Sequence, residues 1–224
     1  MSSTDVFAAY HKQAWPFTYK GTLLVDRIAG GTPTDPKVAE GWIRRHMGEQ
    51  SDQAIREMVA TTMLERGVSP EAAVEEVNTN RHLLGFKRDD RGLYLEGRCL
   101  KSAIKEACNV CVAAGKLKSR GWGATNKGST GFIAEHVMVV DNKLHFDRTE
   151  ATGIEQRFVH VHTGNGIRYD EYCDNVELHF TVVTDFLITD EQWALIWLTG
   201  AKQGIGGTRS QGYGTYTVTK WDKV

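Results

Sequence analysis

The sequence lacks any apolar run near the roughly 20 residues that a membrane-spanning helix needs, so a membrane protein of that kind is not expected. Its start, MSSTDVFAAYHKQAWPF, also lacks the basic beginning and apolar centre of a signal peptide. Cysteine is scarce, and its four unevenly spaced residues favour free thiols in a reducing compartment over a disulfide framework. We therefore expect a cytoplasmic protein without a membrane partner.

An excess of charge is also absent, because 27 Lys and Arg residues against 28 Asp and Glu residues give a net charge of −1. This balance argues against a uniformly basic surface of the histone kind. The same balance is compatible with a local basic groove, since nucleic-acid binding depends on where Lys and Arg cluster. Hydrophobic residues make up 41% of the 224 residues, which is ordinary for a globular protein with a sizeable core.

Alternating apolar and polar residues predict strands, one over 17–28 and another over 176–182. The segment 215–221 is predicted as the last strand. Two hairpins are also predicted, one over 132–146 with Asp-Asn at its turn and one over 157–169.

Helical spacing of apolar residues predicts helices over most of 36–82 and over 99–115. A further helix is predicted after Thr189, because Thr189 and Gln192 form the pattern of a capping box. A glycine-rich loop follows this last helix and precedes the last strand.

The order of these elements predicts an α+β fold with a split β-α-β arrangement of ferredoxin-like type. In such a fold the helices cover one face of an antiparallel sheet, and the other face is left for a ligand or for inserted elements. We predict a single domain over 1–224, with a helical insertion at about 36–90 and an inserted loop and hairpin region at about 118–175.

The loop GIGGTRSQGYG, residues 204–214, holds five glycines together with Arg209 and Tyr213. Glycine permits positive φ and brings backbone N–H groups close to a ligand, and a run of such groups suits an anion. Arg209 adds a planar fork that matches phosphate, Lys202 lies just upstream, and Tyr213 offers a face for a base. The alternative is a flexible connection with an incidental arginine. A nucleotide-binding P-loop or dinucleotide fingerprint does not fit, because those loops lead from a strand into a helix.

The segment ALIWLTGAKQGIGGTRSQGYGTYTV, residues 194–218, resembles the signature of the RAMP superfamily, the RNA-binding proteins of CRISPR systems. That signature is a helix, a glycine-rich loop with Arg and often Tyr, and a final strand. The part GGTRSQGYG is similar to the version in backbone subunits of type III effector complexes, which coat guide RNA. A second segment, GRCLKSAIKEA at 97–107, resembles the superfamily's loop-into-helix segment, whose free N–H groups and lysine suit phosphate.

The resemblance implies an RRM-like, ferredoxin-like protein of antiviral defence that holds single-stranded guide RNA by its phosphates. Its further partners would be the complementary target and either copies of itself or other RAMP subunits, with no cofactor needed for binding. The RNA-binding residues that it implies are Lys101, Ser102, Lys202, Gly206, Gly207, Arg209, Ser210, Gly212 and Tyr213.

Ribonuclease activity on the same fold is an alternative, and whether the protein is an enzyme stays open. The resemblance makes Asp35, with Asp26 behind it, the candidate for Mg²⁺-dependent cleavage of target RNA. The competing interpretation is that Asp35 caps a helix at Pro36. Processing of guide RNA would use histidine as acid or base, and the candidates are His11, His160 and His162. The competing interpretation of His160 and His162 is a surface pair with no special role.

Two further motifs are predicted to be structural. Cys108 and Cys111 have the spacing of half a zinc site, but they lie on the apolar face of a predicted helix and lack a partner pair. No metal site is therefore predicted there. Trp193 and Trp197 are predicted as core anchors rather than base-stacking platforms. A third functional class is a structural or regulatory protein of a phage or mobile element with the same fold.

Overall fold

The computed structural model describes residues 10, 13–33, 52–73, 83–117, 135–161 and 164–224. The strands are β1 Phe17–Ala29, β2 Thr32–Pro33, β3 Leu83–Gly85, β4 Lys87–Asp89, β5 Gly92–Glu96, β6 Val137–Val139, β7 Lys143–His145, β8 Gly153–Val161, β9 Gly164–Thr184 and β10 Tyr216–Lys223. The helices are α1 Asp52–Arg66, α2 Gly97–Ala113 and α3 Asp190–Gln203, and a 3₁₀ turn covers Arg209–Gln211. The fold class is therefore α+β, as predicted.

The chain divides into two compact units. Unit 1 comprises Met1–Ile28, Arg88–Glu150 and Cys173–Val224, and unit 2 comprises Ala29–Lys87 and Ala151–Tyr172. The prediction of a single domain with insertions at 36–90 and 118–175 stays a prediction.

Unit 1 is built on a sheet in which β10 pairs antiparallel with β1, β1 neighbours β9, and β6 pairs antiparallel with β9. The burial of β1 alternates, with Tyr19, Leu23 and Val25 buried and Lys20 and Leu24 exposed. Because successive side chains of a strand point to opposite faces, the sheet has one apolar and one polar face. We call the apolar side, on which α3 packs, the closed face, and the polar side the open face.

An aromatic cluster fills the space between the closed face and α3. Trp193 of α3 is fully buried and lies 5.4 Å from Tyr19 and 4.8 Å from Trp221, measured between ring centroids. The same cluster includes Phe180, Trp197 and Tyr216. Burial of several large aromatic rings, each removing about 150–250 Å² from water, makes this cluster the core of unit 1. The prediction that Trp193 and Trp197 are core anchors is confirmed.

Helix α2 packs beside α3 through the apolar face that the sequence predicts, with Leu100, Ile104 and Cys108 buried. The helix begins at Gly97, two residues before the predicted start, because β5 leads into it directly with Glu96 as its N-cap. Helix α3 begins with the predicted capping box, in which the Thr189 side chain accepts from Gln192 N and the Gln192 side chain accepts from Thr189 N.

The predicted hairpin over 132–146 is wrong. Its halves β6 and β7 flank the Asp-Asn pair, but β6 pairs with β9 and β7 pairs antiparallel with β5. Each half has only three residues, and each buries its apolar side chain in a different sheet: Val137 in the main sheet, and Leu144 opposite Leu95. Tertiary burial decides the pairing here, rather than the turn sequence.

Unit 2 contains the second predicted hairpin, which is confirmed: β8 pairs antiparallel with β9 from Gly153–Tyr172 to Val161–Gly164. Strand β3 pairs parallel with β9, so the sheet is mixed and not antiparallel throughout as predicted. Helix α1 and the helical residues 70–73 lie within the stretch predicted as helical, whereas 36–51 and 74–82 lie outside the described residues.

Candidate nucleic-acid interface

The glycine-rich loop of residues 204–214 is folded back on itself and anchored to unit 1. Ile205 N donates to Gly214 O at 2.9 Å, and Gly214 N donates to Arg27 O on β1 at 2.7 Å. Ile205 and Tyr213 are buried, at 1% and 9% exposure. The loop is therefore held at both ends, and only its middle faces solvent.

Two glycines of the loop are required for different reasons. Gly214 has φ +77°, and a Cβ there would lie 1.9 Å from Ile205 O, so both the conformation and the close approach exclude a side chain. Gly212 has φ +87° but nothing within 4 Å of an added Cβ, so only its conformation favours glycine. Thr208 takes up a left-handed conformation without being glycine, at φ +58°. The tip of the loop is thus shaped by left-handed residues on both sides of Arg209.

Arg209 forms a two-pronged ion pair with Glu106 of α2. Its Nη1 donates to Oε2 and its Nη2 donates to Oε1, the second bond measuring 3.1 Å. The Arg209 hydrogen bond lowers the pKa of Glu106, and the same bond raises the pKa of Arg209. Both side chains stay partly exposed, at 33% and 46%. The pair joins the loop to α2 at the surface.

Arg209 has donors beyond this pair. A guanidinium carries five N–H groups, and the two bonds to Glu106 leave three of them without a partner among the described residues. An incoming anion can therefore reach Arg209 with the ion pair still in place, or it can replace Glu106.

Lys101 and Ser102 lie in the second turn of α2, not at the free N–H groups of its start. Gly97 N, at that start, donates to Asn142 O at 2.9 Å. Lys105 follows Lys101 one turn later, and burial, with the positive charge of Lys105 as the smaller cause, lowers the pKa of Lys101. Two lysines on one helix edge add positive charge to the helix that carries Glu106.

The other predicted loop residues differ in exposure. Ser210 and Gly212 are exposed at the tip, Gly206 and Gly207 are half-buried, and Lys202 is exposed in the last turn of α3. Tyr213 is buried, and its hydroxyl accepts a hydrogen bond from Arg27. The Tyr213 ring therefore packs within the fold, and its face is not exposed for stacking on a base.

Arg27 and Asp174 are residues of this region that sequence reasoning missed. Arg27 Nε and Nη2 donate to the two carboxylate oxygens of Asp174 at 2.5 and 3.2 Å, and these bonds raise the pKa of Arg27. The backbone carbonyl of Arg27 accepts from Gly214 N, so this ion pair braces the strand on which the loop rests. The partners are 147 residues apart, and no local pattern signals them.

The predicted catalytic residues are largely outside the described residues. This applies to Asp35, His11 and His162, and also to the side chain of His160. Asp26 is exposed on β1. Within residues 13–33, 52–73, 83–117, 135–161 and 164–224, no three His, Cys, Asp or Glu side chains form a metal-binding group. The magnesium site at Asp35 stays a prediction.

Cys108 and Cys111 are fully buried on α2, in agreement with a structural role. The Sγ of Cys111 lies 3.1 Å from Thr199 Oγ1 and 3.4 Å from the carbonyl oxygen of Leu195, both on α3. The Cys111 thiol therefore belongs to the packing of α2 on α3.

No family model matches the sequence, and no curated protein matches it. Among solved structures, it is similar to a chain of the cryo-EM structure of the Type III-B Cmr-beta bound to cognate target RNA. The TM-score is 0.47 and the identity 10%, over 99% of this chain. The chain spans 66% of the length of that chain, just under two thirds. A likeness this distant transfers no function to this chain. No helix in the described part of the chain is long and apolar enough to cross a membrane.

Proposed function

We propose that the protein binds single-stranded RNA through its phosphate backbone, at a surface formed by the loop tip and α2. We call this surface the loop–helix surface; its residues are Lys101, Ser102, Lys105, Gly206, Gly207, Arg209, Ser210 and Gly212, with Lys202 beside it. The observation that carries the proposal is the contact between Arg209 and α2, because it brings the loop's guanidinium to the helix that bears Lys101 and Lys105.

The chemistry of this surface suits phosphate rather than bases. Arg209 retains three N–H donors, and Lys101 and Lys105 add two further cations. At the tip, Gln211 N donates to Thr208 O and Gly212 N donates to Arg209 O, so the side-chain cations supply the proposed phosphate contacts. Tyr213, the aromatic residue that the sequence offered for stacking, is buried. Contacts of this kind give binding that depends on salt and is independent of sequence.

The finer proposal follows from the resemblance of residues 97–107 and 194–218 to the RAMP superfamily. We propose a ferredoxin-like backbone subunit of a CRISPR ribonucleoprotein, in which copies of the protein or related subunits hold guide RNA side by side. Its target strand would pair with the guide. The RNA that purifies with the protein, sequenced together with a measurement of particle mass, tests this finer proposal; particles that carry no RNA would contradict it.

Binding is tested by fluorescence anisotropy with a labelled single-stranded RNA over a series of salt concentrations. Arg209→Gln and Lys101→Gln are each expected to weaken binding at least fivefold, and the double variant more than either. Each lost phosphate contact should also reduce the slope of log K against log salt by about 0.7. The same samples on denaturing gels, with Mg²⁺ or with chelator, test the cleavage predicted for Asp35.

The matched control is Lys116→Gln, which removes an exposed lysine just past the end of α2. It should leave both the affinity and the salt slope within error of wild type. If the double variant binds RNA as tightly as wild type, or if Lys116→Gln weakens binding equally, RNA does not bind at the loop–helix surface.

A further inference from the structure

A cleft of about 550 Å³ lies on the open face of unit 1, away from α3. Its floor is made by β10, β1 and β9. The polar side chains that these strands contribute to its lining include Lys20, Thr22, Glu177, His179, Thr219 and Lys220. The volume falls within the roughly 300–1,000 Å³ of small-molecule sites. None of these residues belongs to the loop–helix surface.

An irregularity of the sheet shapes this cleft. Thr22 pairs with Lys220 while Leu23 pairs with Val218, so Thr219 is an extra residue on β10. The Thr219 hydroxyl donates to Thr22 O at 3.3 Å. Such β-bulges bend the strand locally, re-aim side chains and occur often beside functional sites. Here the bulge places Lys220 and Thr219 together at the wall of the cleft.

His179 is held in a fixed orientation inside the cleft. Its Nδ1 lies 3.1 Å from the hydroxyl of Thr22, a residue that is only 5% exposed. His179 itself is exposed, and its other ring nitrogen has no partner in the described parts of the chain, so it can meet a ligand. A histidine positioned in this way can donate a hydrogen bond to an oxyanion.

The charges of the cleft have two signs. Lys20 has no ion-pair partner in the part of the chain that the structure describes, and Lys220 pairs only with Asp222 at 3.4 Å, where both side chains are mostly exposed. An exposed pair of this kind contributes at most about 1 kcal/mol, so a ligand can displace it. Two carboxylates, Glu177 and Asp141, line the same cleft. Asp141 Oδ2 accepts from Thr181 N at 2.5 Å, and Glu177 offers acceptor oxygens for hydroxyl or amino groups.

We propose that this cleft binds a phosphate-bearing ribonucleotide, as part of an RNA strand or free. The phosphate lies between Lys20 and Lys220 and accepts a hydrogen bond from His179, and Glu177 accepts from a sugar hydroxyl. The lining holds two cations for a phosphate and also carboxylates that suit hydroxyl groups, so it fits a nucleotide better than an inorganic anion or an apolar molecule. The site is separate from the loop–helix surface, since the two share no residue.

The test follows the ring signals of His179 by NMR in histidine-labelled protein, with the signals assigned by their loss in His179→Gln. The probes are adenosine 5′-monophosphate, adenosine and a short oligoribonucleotide. The monophosphate or the oligonucleotide should shift the His179 signals, and adenosine should not. Tighter binding of the oligonucleotide would identify an RNA strand as the ligand, and a response to the monophosphate alone would identify a free nucleotide.

The variant Lys20→Gln with Lys220→Gln should weaken binding of the responding probe at least fivefold. Both lysines are exposed, so circular dichroism should show an intact fold. Arg209→Gln should leave the His179 response unchanged while it weakens binding of RNA at the loop–helix surface. If neither phosphate probe shifts the His179 signals, or if the double variant binds as wild type does, the cleft proposal is wrong. Loss of RNA binding in Arg209→Gln with no response at His179 would overturn this proposal and leave the proposed function standing.

Discussion

The two faces of the sheet of unit 1 are formed by the same strands, but they differ in burial, polarity and charge. On β1, Tyr19 and Leu23 are buried in the closed face, whereas Lys20 and Thr22 line the cleft of the open face. The closed face carries stacked aromatic rings, and the open face carries hydroxyls, a histidine and charges. The large buried rings therefore lie on one face, which leaves residues of the other face available for a ligand.

The largest effect is expected on the closed face. Trp193→Ala should reduce the free energy of unfolding by about 3–5 kcal/mol, because the fully buried ring contacts Tyr19, Trp197 and Trp221 and would leave a cavity. The open-face substitution Thr217→Ala should change the free energy of unfolding by less than about 0.5 kcal/mol. Urea unfolding followed by circular dichroism measures both. Similar losses for the two variants would contradict the division between the faces.

The next effect concerns the loop that leads into β10. Gly214→Ala should cost roughly 2–4 kcal/mol, because a methyl group there meets Ile205 O in addition to the strained conformation. Gly212→Ala shares the positive φ but has open space around it, so about 1–2 kcal/mol is expected. Urea midpoints of the two variants measure the difference. Equal midpoints would mean that the close approach at Gly214 contributes nothing.

A smaller effect is expected at the start of α3, the helix that covers the closed face. Thr189→Ala should cost about 1 kcal/mol, since it removes the side-chain half of the capping box that bonds Gln192 N. Thr189→Ser keeps the hydroxyl and should stay near wild type. Thermal unfolding measures the stability of both variants. An equal loss of stability in both would mean that the methyl group of Thr189, and not its capping hydroxyl, provides the stabilisation.

The smallest effect is expected at the ion pair of the loop. Glu106→Gln should raise the affinity for RNA about threefold at low salt, because it removes a negative charge beside Arg209 that competes with phosphate. Glu191→Gln, in the exposed first turn of α3, is the control and should leave affinity unchanged. Anisotropy titrations measure both. A fall in affinity would mean that Glu106 positions Arg209 for RNA instead of competing with it.

Many elements of the fold could be predicted from local patterns, because the periodicity of a helix or a strand is visible over a few neighbouring residues. The alternation in β1, the apolar face of α2 and the capping box at Thr189 all occur as predicted. The short segments around Asp141 did not follow their local signal, since each half of the predicted hairpin pairs with a different strand.

The candidate sites were predicted less completely. The sequence singled out Arg209 and Lys101 but gave no sign of Glu106, which is 103 residues away from Arg209 along the chain. It also missed the cleft, because Thr22 and His179 are 157 residues apart and meet only when β1 and β9 lie side by side. Tyr213 has the sequence context of an exposed loop residue, yet the fold buries it.

Local sequence patterns were enough to predict α2, α3 and the alternation of side chains over 17–28 and 176–182, since backbone geometry repeats every few residues. Packing of distant segments selects the carboxylate that meets Arg209, the strand that pairs with β6, and the polar residues that line one cleft. These outcomes depend on contacts between segments that are distant in the sequence, and such contacts form only when the whole unit packs.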